Sequence, residues 1–236
     1  MRIIFWYNAG MDIGKAQQLL AANKIKFDEF YSLLTEANKS FNLTAVCERN
    51  EVKIKHFLDS VLPADEFFKG ADVAEIGSGG GFPSVPLKIV RPDLKFTLIE
   101  STGKKCGYLK EVVDKLGLDG VQVVNIRAED GARDNTLREK FDISTARAVA
   151  RLNTLCEYCL PYVKVGGLFI AYKGEAAEEI KEAENAIKIL GGELIKTVNY
   201  ELPEGMGKRC AVVIKKVRQT PVKYPRGQGR ERKNPL

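Results

Sequence analysis

The sequence has few of the features that mark secreted, membrane or metal-binding proteins. It contains five cysteines, an odd number, and no hydrophobic secretory signal, so we expect no disulfide framework and a reducing, cytoplasmic setting. The apolar run near the start, Ile3-Ile4-Phe5-Trp6-Tyr7, is too short to cross a membrane. One Cys-x-x-Cys pair lacks the second pair that a zinc site needs. We therefore expect no metal site and no membrane association, with Cys156 and Cys159 as core thiols.

Basic charge is concentrated at the C-terminus. From Lys208 onwards there are ten Lys or Arg residues and one acid, Glu231, a local balance of +9 within a total of +6. A basic segment of this kind supplies phosphate contacts to nucleic acid. A solubilising tail would have the same composition, and both interpretations stay open at this point.

Residues 72–100 contain the motif around which the rest is organised. Asp72–Ile76 predicts a short buried strand, the glycines after it predict a tight turn, and Pro83 is suited to the first position of a helix. A second strand ends at Glu100. Glycines let backbone amides approach a ligand, and the carboxylate can accept hydrogen bonds from a ribose. A nucleoside cofactor is the expected ligand.

The glycine spacing favours one class of nucleoside. The dinucleotide fingerprint needs glycine at relative positions 1, 3 and 6, but counting from Gly77 the sixth residue is Phe82 and the glycines stand at 1, 3 and 5. An acid on the first strand, Glu75, followed by Gly-x-Gly-x-Gly is typical of S-adenosylmethionine-dependent methyltransferases. A variant NAD site, or a turn without a ligand, is the alternative.

The N-terminal part, residues 1–64, is predicted to be a helical extension. Apolar residues at helical spacing over residues 12–40 indicate two amphipathic helices. A third helix is predicted from about Asn50 to Leu62, ended by Pro63. We interpret the first ten residues as a tail and assign them no function.

Residues 65–217 alternate between strands and helices, which predicts a parallel sheet covered on both faces. After the fifth strand the pattern changes to two strands over 193–202 and 209–217 with no helix between them, so these form an antiparallel hairpin. The fold class is therefore α/β, the Rossmann-like seven-stranded sheet of class I methyltransferases. A helix is also predicted around Thr136, and residues 218–236 are left as a basic tail.

Ligands of open parallel sheets bind outside the carboxyl ends of the strands, which selects the candidate site residues. The residues that we expect to bind the cofactor are Gly77, Gly79, Phe82, Glu100, Ala128, Glu129 and Arg147. Glu129 could face the adenine amino group or cap a helix. Arg147 could hold the cofactor carboxylate or a substrate phosphate through its planar fork of donors.

The residues at the end of the fourth strand narrow the choice of methyl acceptor. Ser144-Thr145-Ala146-Arg147 is neither the Asn/Asp-Pro-Pro-aromatic tetrapeptide of exocyclic amine methyltransferases nor the cysteine pair of cytosine-C5 enzymes. A ring nitrogen such as guanine N7 has a free lone pair and needs no base, which suits a cleft with no evident one. The candidate catalytic residues are His56, Asp59, Arg147 and Lys173. A single histidine on a helix can equally be structural.

Assembled in order, these pieces resemble a known family, the bacterial 16S rRNA guanine-N7 methyltransferases also called glucose-inhibited division protein B. The similar segments are Asn42–Ala45, His56–Ser60, Glu75–Pro83, Arg127–Glu129, Ala146–Ala150, Tyr172–Gly174, Tyr224–Arg226 and Pro235–Leu236.

The resemblance implies S-adenosylmethionine as cofactor, bound around Gly77, Phe82, Ala128, Glu129 and Arg147. It also implies one guanine in the decoding-region hairpin of 16S ribosomal RNA, within the small ribosomal subunit, as substrate. Arg147, Lys173 and the C-terminal segment are the expected RNA-side cations, in a protein expected to be monomeric. An NAD-binding oxidoreductase and a non-catalytic ribosome-binding protein on the same fold are the competing hypotheses.

Overall fold

The computed structural model describes residues 6–7 and 11–236, and these contain one mixed sheet of eight strands. The other residues of the N-terminal segment to which we assign no function lie outside the described part. The strands are β1 (Trp6–Tyr7), β2 (Asp72–Ile76), β3 (Lys95–Glu100), β4 (Val121–Asn125), β5 (Phe141–Arg147), β6 (Val163–Lys173), β7 (Gly192–Glu201) and β8 (Lys208–Lys216).

The strand order is β1-β7-β8-β6-β5-β2-β3-β4. Strands β4, β3, β2, β5 and β6 are parallel, while β8 lies antiparallel between β6 and β7. The predicted seven strands and the C-terminal hairpin are confirmed. The short β1 was not predicted: it adds to the sheet edge parallel to β7, with Trp6 opposite Thr197.

The helices are α1 (Ile13–Ala22), α2 (Lys24–Asn38), α3 (Arg49–Val52), α4 (Asp59–Val61), α5 (Ser84–Val90), α6 (Gly103–Lys115), α7 (Ala128–Gly131), α8 (Leu152–Cys159), α9 (Ala177–Ile189) and α10 (Arg230–Lys233). The Asp12 side chain caps α1 by accepting from the Lys15 amide at 3.1 Å. A π-helical segment, Lys53–Leu58, joins α3 to α4 in one continuous helical stretch. This stretch is the predicted third helix, with a widened middle that the sequence pattern did not indicate.

The predicted helix around Thr136 is wrong. The chain there forms turns, and the Asp134 carboxylate accepts from both the Thr136 amide, at 2.7 Å, and the Thr136 hydroxyl, at 2.6 Å. Such local side-chain hydrogen bonds give the backbone an alternative to helical ones. The helix of this crossover is instead α7, one turn that begins directly after β4 and Arg127.

The two faces of the sheet pack against different helices. Successive residues of β2 point to opposite faces: Val73 belongs to the core cluster under the N-terminal helices, α5 and α6, and Ala74 to the cluster under α8 and α9. Burial on both faces explains why the central strands are apolar almost throughout. Cys156 and Cys159 are fully buried in the second cluster and unpaired, which confirms them as core thiols. In the described residues, no helix has the length and apolarity to cross a membrane.

Candidate functional site

The glycine turn after β2 owes its spacing to backbone geometry. Gly77, Gly79 and Gly81 have φ of +72°, +51° and +88°, a region that side chains with a Cβ rarely adopt. A Cβ on Gly77 would also lie 2.8 Å from Val149 Cγ2, and one on Gly81 would lie 2.8 Å from Val85 Cγ2. Glycines at positions 1, 3 and 5 are therefore what this turn requires. Helix α5 begins at Ser84, one residue later than predicted.

A cavity of about 700 Å³ opens at the carboxyl ends of the parallel strands. It lies where the strand order reverses between β2 and β5, the usual ligand crevice of such sheets. It is lined by every residue that we expected to bind a cofactor, and also by His56. These seven cofactor candidates are Gly77, Gly79, Phe82, Glu100, Ala128, Glu129 and Arg147.

Glu100, at the end of β3, is fixed by two backbone donors. Its Oε2 accepts from the Gly79 amide at 3.0 Å, and its Oε1 accepts from the Thr102 amide at 2.8 Å. Each carboxylate oxygen can accept more than one hydrogen bond. Glu100 therefore keeps acceptor capacity beside the turn for a pair of hydroxyl groups.

The loop after β4 forms another side of the cavity. The Ala128 carbonyl accepts from the Tyr162 hydroxyl at 2.7 Å, which fixes the start of α7. The Arg127 side chain, at the N-cap position, makes no capping hydrogen bond, and Glu129 lies in the first turn of the helix on the cavity wall. Its position suits contact with a ligand at least as well as the capping role that we left open.

Arg147, at the end of β5, is held by the π-helical segment and α4. Its Nη1 donates to the Lys55 carbonyl and to Asp59 Oδ2, each at 3.0 Å, and its Nη2 lies 3.1 Å from His56 Nδ1. The guanidinium also lies over the Phe82 ring, 4.9 Å from its centroid. Among the described residues, Nε of Arg147 donates to no acceptor, so one edge of the fork stays available for an anion.

The Asp59 carboxylate is buried and fully engaged. Its Oδ1 accepts from the Tyr200 hydroxyl at 2.9 Å and lies 3.9 Å from Arg209 Nε, while Oδ2 binds Arg147. A buried carboxylate with these partners is suited to holding Arg147 in place. His56 and Asp59, two of the candidate catalytic residues, thus both contact Arg147.

His56 packs on Phe82, with ring centroids 4.6 Å apart, and its Nε2 lies 2.7 Å from Thr44 Oγ1. Burial, and after it the charge of Arg147, lower the pKa of His56 to about 4. The imidazole is therefore neutral at physiological pH and too weak a base for proton abstraction.

Glu75 lies beneath the site on β2 and is fully buried. Burial raises its pKa to about 7, against the opposing effects of the Ser84 and Ser78 hydroxyls and of Arg147. In the described part of the chain its two oxygens make no hydrogen bond of normal geometry. The acid that helped to identify the motif therefore keeps its proton up to about pH 7, far above the range of an ordinary glutamate.

The structure does not bring Lys173 to this cavity. Its Nζ donates to the Ala150 carbonyl at 2.6 Å and pairs with Glu179 of α9 at 2.7 Å, and the side chain is only 11% exposed. Several lining residues lay outside our site prediction, and among them are Leu43, Thr44, Lys105, Arg127, Val149, Tyr158, Gly229 and Arg232. Arg127 and Thr44 lie in segments that carried the family resemblance. Nothing in the local pattern indicated Tyr158 or Arg232.

A nucleoside cofactor of the S-adenosylmethionine type fits these residues. The cavity volume falls within the range of about 300–1,000 Å³ that is usual for ligand sites. Glu100 supplies acceptors for hydroxyls, the turn lacks Cβ atoms that would fill the crevice, and Arg147 supplies donors for a carboxylate. The dinucleotide alternative needed a glycine where Phe82 stacks against His56 and Arg147.

Comparisons with known proteins agree with this geometry. The family model described as GidB, rRNA small subunit methyltransferase G, matches residues 23–204. Ribosomal RNA small subunit methyltransferase G of Lactobacillus acidophilus is 46% identical over 224 residues, 93% of each chain, and that of Pelotomaculum thermopropionicum is 48% identical over 214 residues, 89% of this chain and 90% of the other.

Solved structures show the same fold at lower identity. A SAM-dependent O-methyltransferase from Thermotoga maritima superposes with a TM-score of 0.54 at 16% identity, covering 80% of this chain and 73% of the other. That likeness concerns the fold alone, whereas the family match extends through the site from the loop at Thr44 to Arg147. The chain belongs to the rRNA small subunit methyltransferase G family.

Proposed function

We propose that this protein transfers a methyl group from S-adenosylmethionine to N7 of one guanine in the decoding-region hairpin of 16S ribosomal RNA. The observation that carries the proposal is the cavity in which the glycine turn, Glu100 and the Arg147 cluster meet. Family membership supports an rRNA methyltransferase that uses S-adenosylmethionine. It gives no support to an NAD-binding oxidoreductase or to a non-catalytic ribosome-binding protein.

When bound, S-adenosylmethionine supplies an electrophilic methyl group on a sulfonium with a built-in leaving group. The chain's own residues would position the reactants: Glu100 would accept from the ribose hydroxyls, Ala128 and Glu129 would hold the adenine, and Arg147 would bind the cofactor carboxylate through its open edge. Because the leaving group is built in, the main task left to the protein would be to hold the nucleophile about 3–3.5 Å from the methyl. Guanine N7 has a free lone pair and needs no deprotonation, so a neutral His56 would be no obstacle.

The mouth of the cavity suits a polyanion. Four cationic side chains line it against two carboxylates, Glu100 and Glu129. The cations are Lys105, Arg127, Arg147 and Arg232. An excess of positive charge attracts RNA phosphates through counterion release. We further propose a cytoplasmic monomer acting on the small ribosomal subunit, organised as residues 1–64, 65–217 and 218–236.

The test is transfer of tritiated methyl from S-adenosylmethionine to purified small subunits and to bare 16S RNA, followed by nuclease digestion and nucleoside identification. We expect 7-methylguanosine, and an approximately 100-fold loss for Arg147→Ala because the reactants lose their alignment. Arg151→Ala is the matched control: this arginine pairs with Glu182 and is largely exposed, away from the cavity. A different modified nucleoside, or equal losses in both variants, would contradict the proposal.

A further inference from the structure

The C-terminal strap, residues 218–236, reaches the cavity beside the loop after β4. Gly229 and Arg232 of the strap line the cavity together with Glu129 and Tyr158. Arg232 belongs to the short helix α10, which packs on α8, the helix that carries Tyr158. One wall of the cavity is therefore made by the segment that the sequence analysis treated as a basic tail.

A buried ion pair fixes the middle of the strap. Arg226 binds Glu157 of α8 with Nε at 3.0 Å from Oε1 and Nη2 at 2.8 Å from Oε2, and the Arg226 amide donates to Oε1 at 2.7 Å. The Glu157 side chain is 1% exposed. Bidentate, charge-assisted pairs of this kind hold geometry as well as contributing energy. Arg226 therefore anchors the strap, and its guanidinium is not free to bind RNA phosphates.

A second buried acid fixes α10. Glu231 is fully buried, its carboxylate accepts from the Gly227 amide, and its carbonyl accepts from the Thr154 hydroxyl at 2.9 Å. Because Arg232 follows Glu231 directly, its backbone is fixed by the same contacts. Burial raises the pKa of Tyr158 and the adjacent Arg232 side chain opposes that rise, so the phenol and the guanidinium are neighbours on the cavity wall.

The start of the strap is anchored as well. Arg138 donates to the carbonyls of Thr220, at 2.8 Å, and Tyr224, at 3.0 Å. The fully buried Lys216 donates to Thr220 Oγ1 at 2.8 Å and lies 3.2 Å from Glu139 Oε1. Contacts at intervals from Thr220 to Glu231 therefore hold the strap against the domain, which gives the backbone of Arg232 a defined position.

We propose that Arg232 and Tyr158 form the outer wall of the nucleoside half of the site and contact the adenosine part of the cofactor. A planar guanidinium and an aromatic ring are both suited to packing on a purine face, and they lie beside Glu129, on the adenine side. This inference rests on the proposed function, and it makes the strap part of the cofactor site as well as a source of positive charge.

The experiment measures Kd by calorimetry for two probes, S-adenosylmethionine and adenosine, with the full chain. We expect Arg232→Ala to weaken both by about tenfold. Lys233→Ala is the matched control, since it removes the same charge from the same helix at an exposed residue that does not line the cavity, and it should change neither Kd more than twofold. Arg232→Lys keeps the positive charge but lacks the planar guanidinium, so it should bind both probes nearly as weakly as Arg232→Ala.

The outcomes separate the wall from general electrostatics. Equal losses for Arg232→Ala and Lys233→Ala, or full recovery with Arg232→Lys, would show that only charge matters and would overturn the inference. A loss for S-adenosylmethionine without one for adenosine would place Arg232 elsewhere and also overturn it. If none of the variants changed either Kd, the inference would also be overturned. If the unmodified protein failed to bind S-adenosylmethionine at all, the proposed function would fail first.

Discussion

Replacing Glu75 with glutamine should remove a pH-dependent loss of stability from the fold. The fully buried carboxyl has its pKa raised from 4.5 to about 7, chiefly by burial. In the unfolded chain the group ionises above pH 4.5, whereas in the folded chain it keeps its proton until about pH 7. The folded state therefore binds more protons between these values, and stability falls as pH rises through this window.

The size of the effect can be worked out from the shift. A rise of 2.5 pH units, from 4.5 to about 7, corresponds to about 3 kcal/mol at about 1.4 kcal/mol per unit. Below pH 4.5 both states are protonated and the loss vanishes; above pH 7 it is complete. Glutamine has the same shape and never ionises, and the unpartnered Ser84 hydroxyl is available to its amide.

The assay is urea unfolding followed by circular dichroism at pH 5 and pH 8 for both proteins. The free energy of unfolding of Glu75→Gln, relative to that of the natural protein, should rise by about 2–3 kcal/mol between pH 5 and pH 8. Comparing the change with pH cancels any constant effect of the amide. His56 contributes with the opposite sign, because its lowered pKa costs stability as pH falls below 6.5, but it is present in both proteins. Parallel pH profiles would refute the reasoning, since they would mean that Glu75 is not buried as described.

Two further predictions concern the histidine and the buried lysine of β8. Because the chain has one histidine, a single imidazole C2 proton signal should appear in NMR spectra, and with a pKa of about 4 it should not shift between pH 6 and 8.5; a midpoint near 6.5 would contradict the burial of His56 beside Arg147. Lys216→Met should destabilise the protein by about 3 kcal/mol in urea unfolding, because Glu139 and Thr220 lose a buried partner. Lys215→Met, on the exposed face of the same strand, should change stability by less than about 0.5 kcal/mol, and equal effects would argue against the buried pair.

Features set by local geometry were predictable from the sequence. The turn from Gly77 to Gly81 needs three residues with positive φ, so the need shows directly as glycines at positions 1, 3 and 5. The central strands are buried on both faces and show as apolar runs. The carboxyl-end rule then placed Glu100, Glu129 and Arg147 at one edge, and all three line the cavity.

Errors arose where a distant or local partner outweighed the pattern. Asp134 replaced the expected helix around Thr136 with side-chain hydrogen bonds. Lys173 ends β6 as expected of a site residue, yet Glu179 of α9 and the Ala150 carbonyl engage it. Periodicity carries no information about such partners, because they depend on how α9 packs back on the sheet.

The sequence by itself determined the α/β fold, the glycine turn and the acid at the end of β3, since each depends on short-range backbone and burial requirements. Only the tertiary structure decided which charges are available. Burial keeps His56 neutral. Arg147 pairs with Asp59, which is distant in the sequence, and Arg226 pairs with the buried Glu157. The physical reason is that desolvation and ion pairing depend on neighbours in space, and a linear pattern does not specify these.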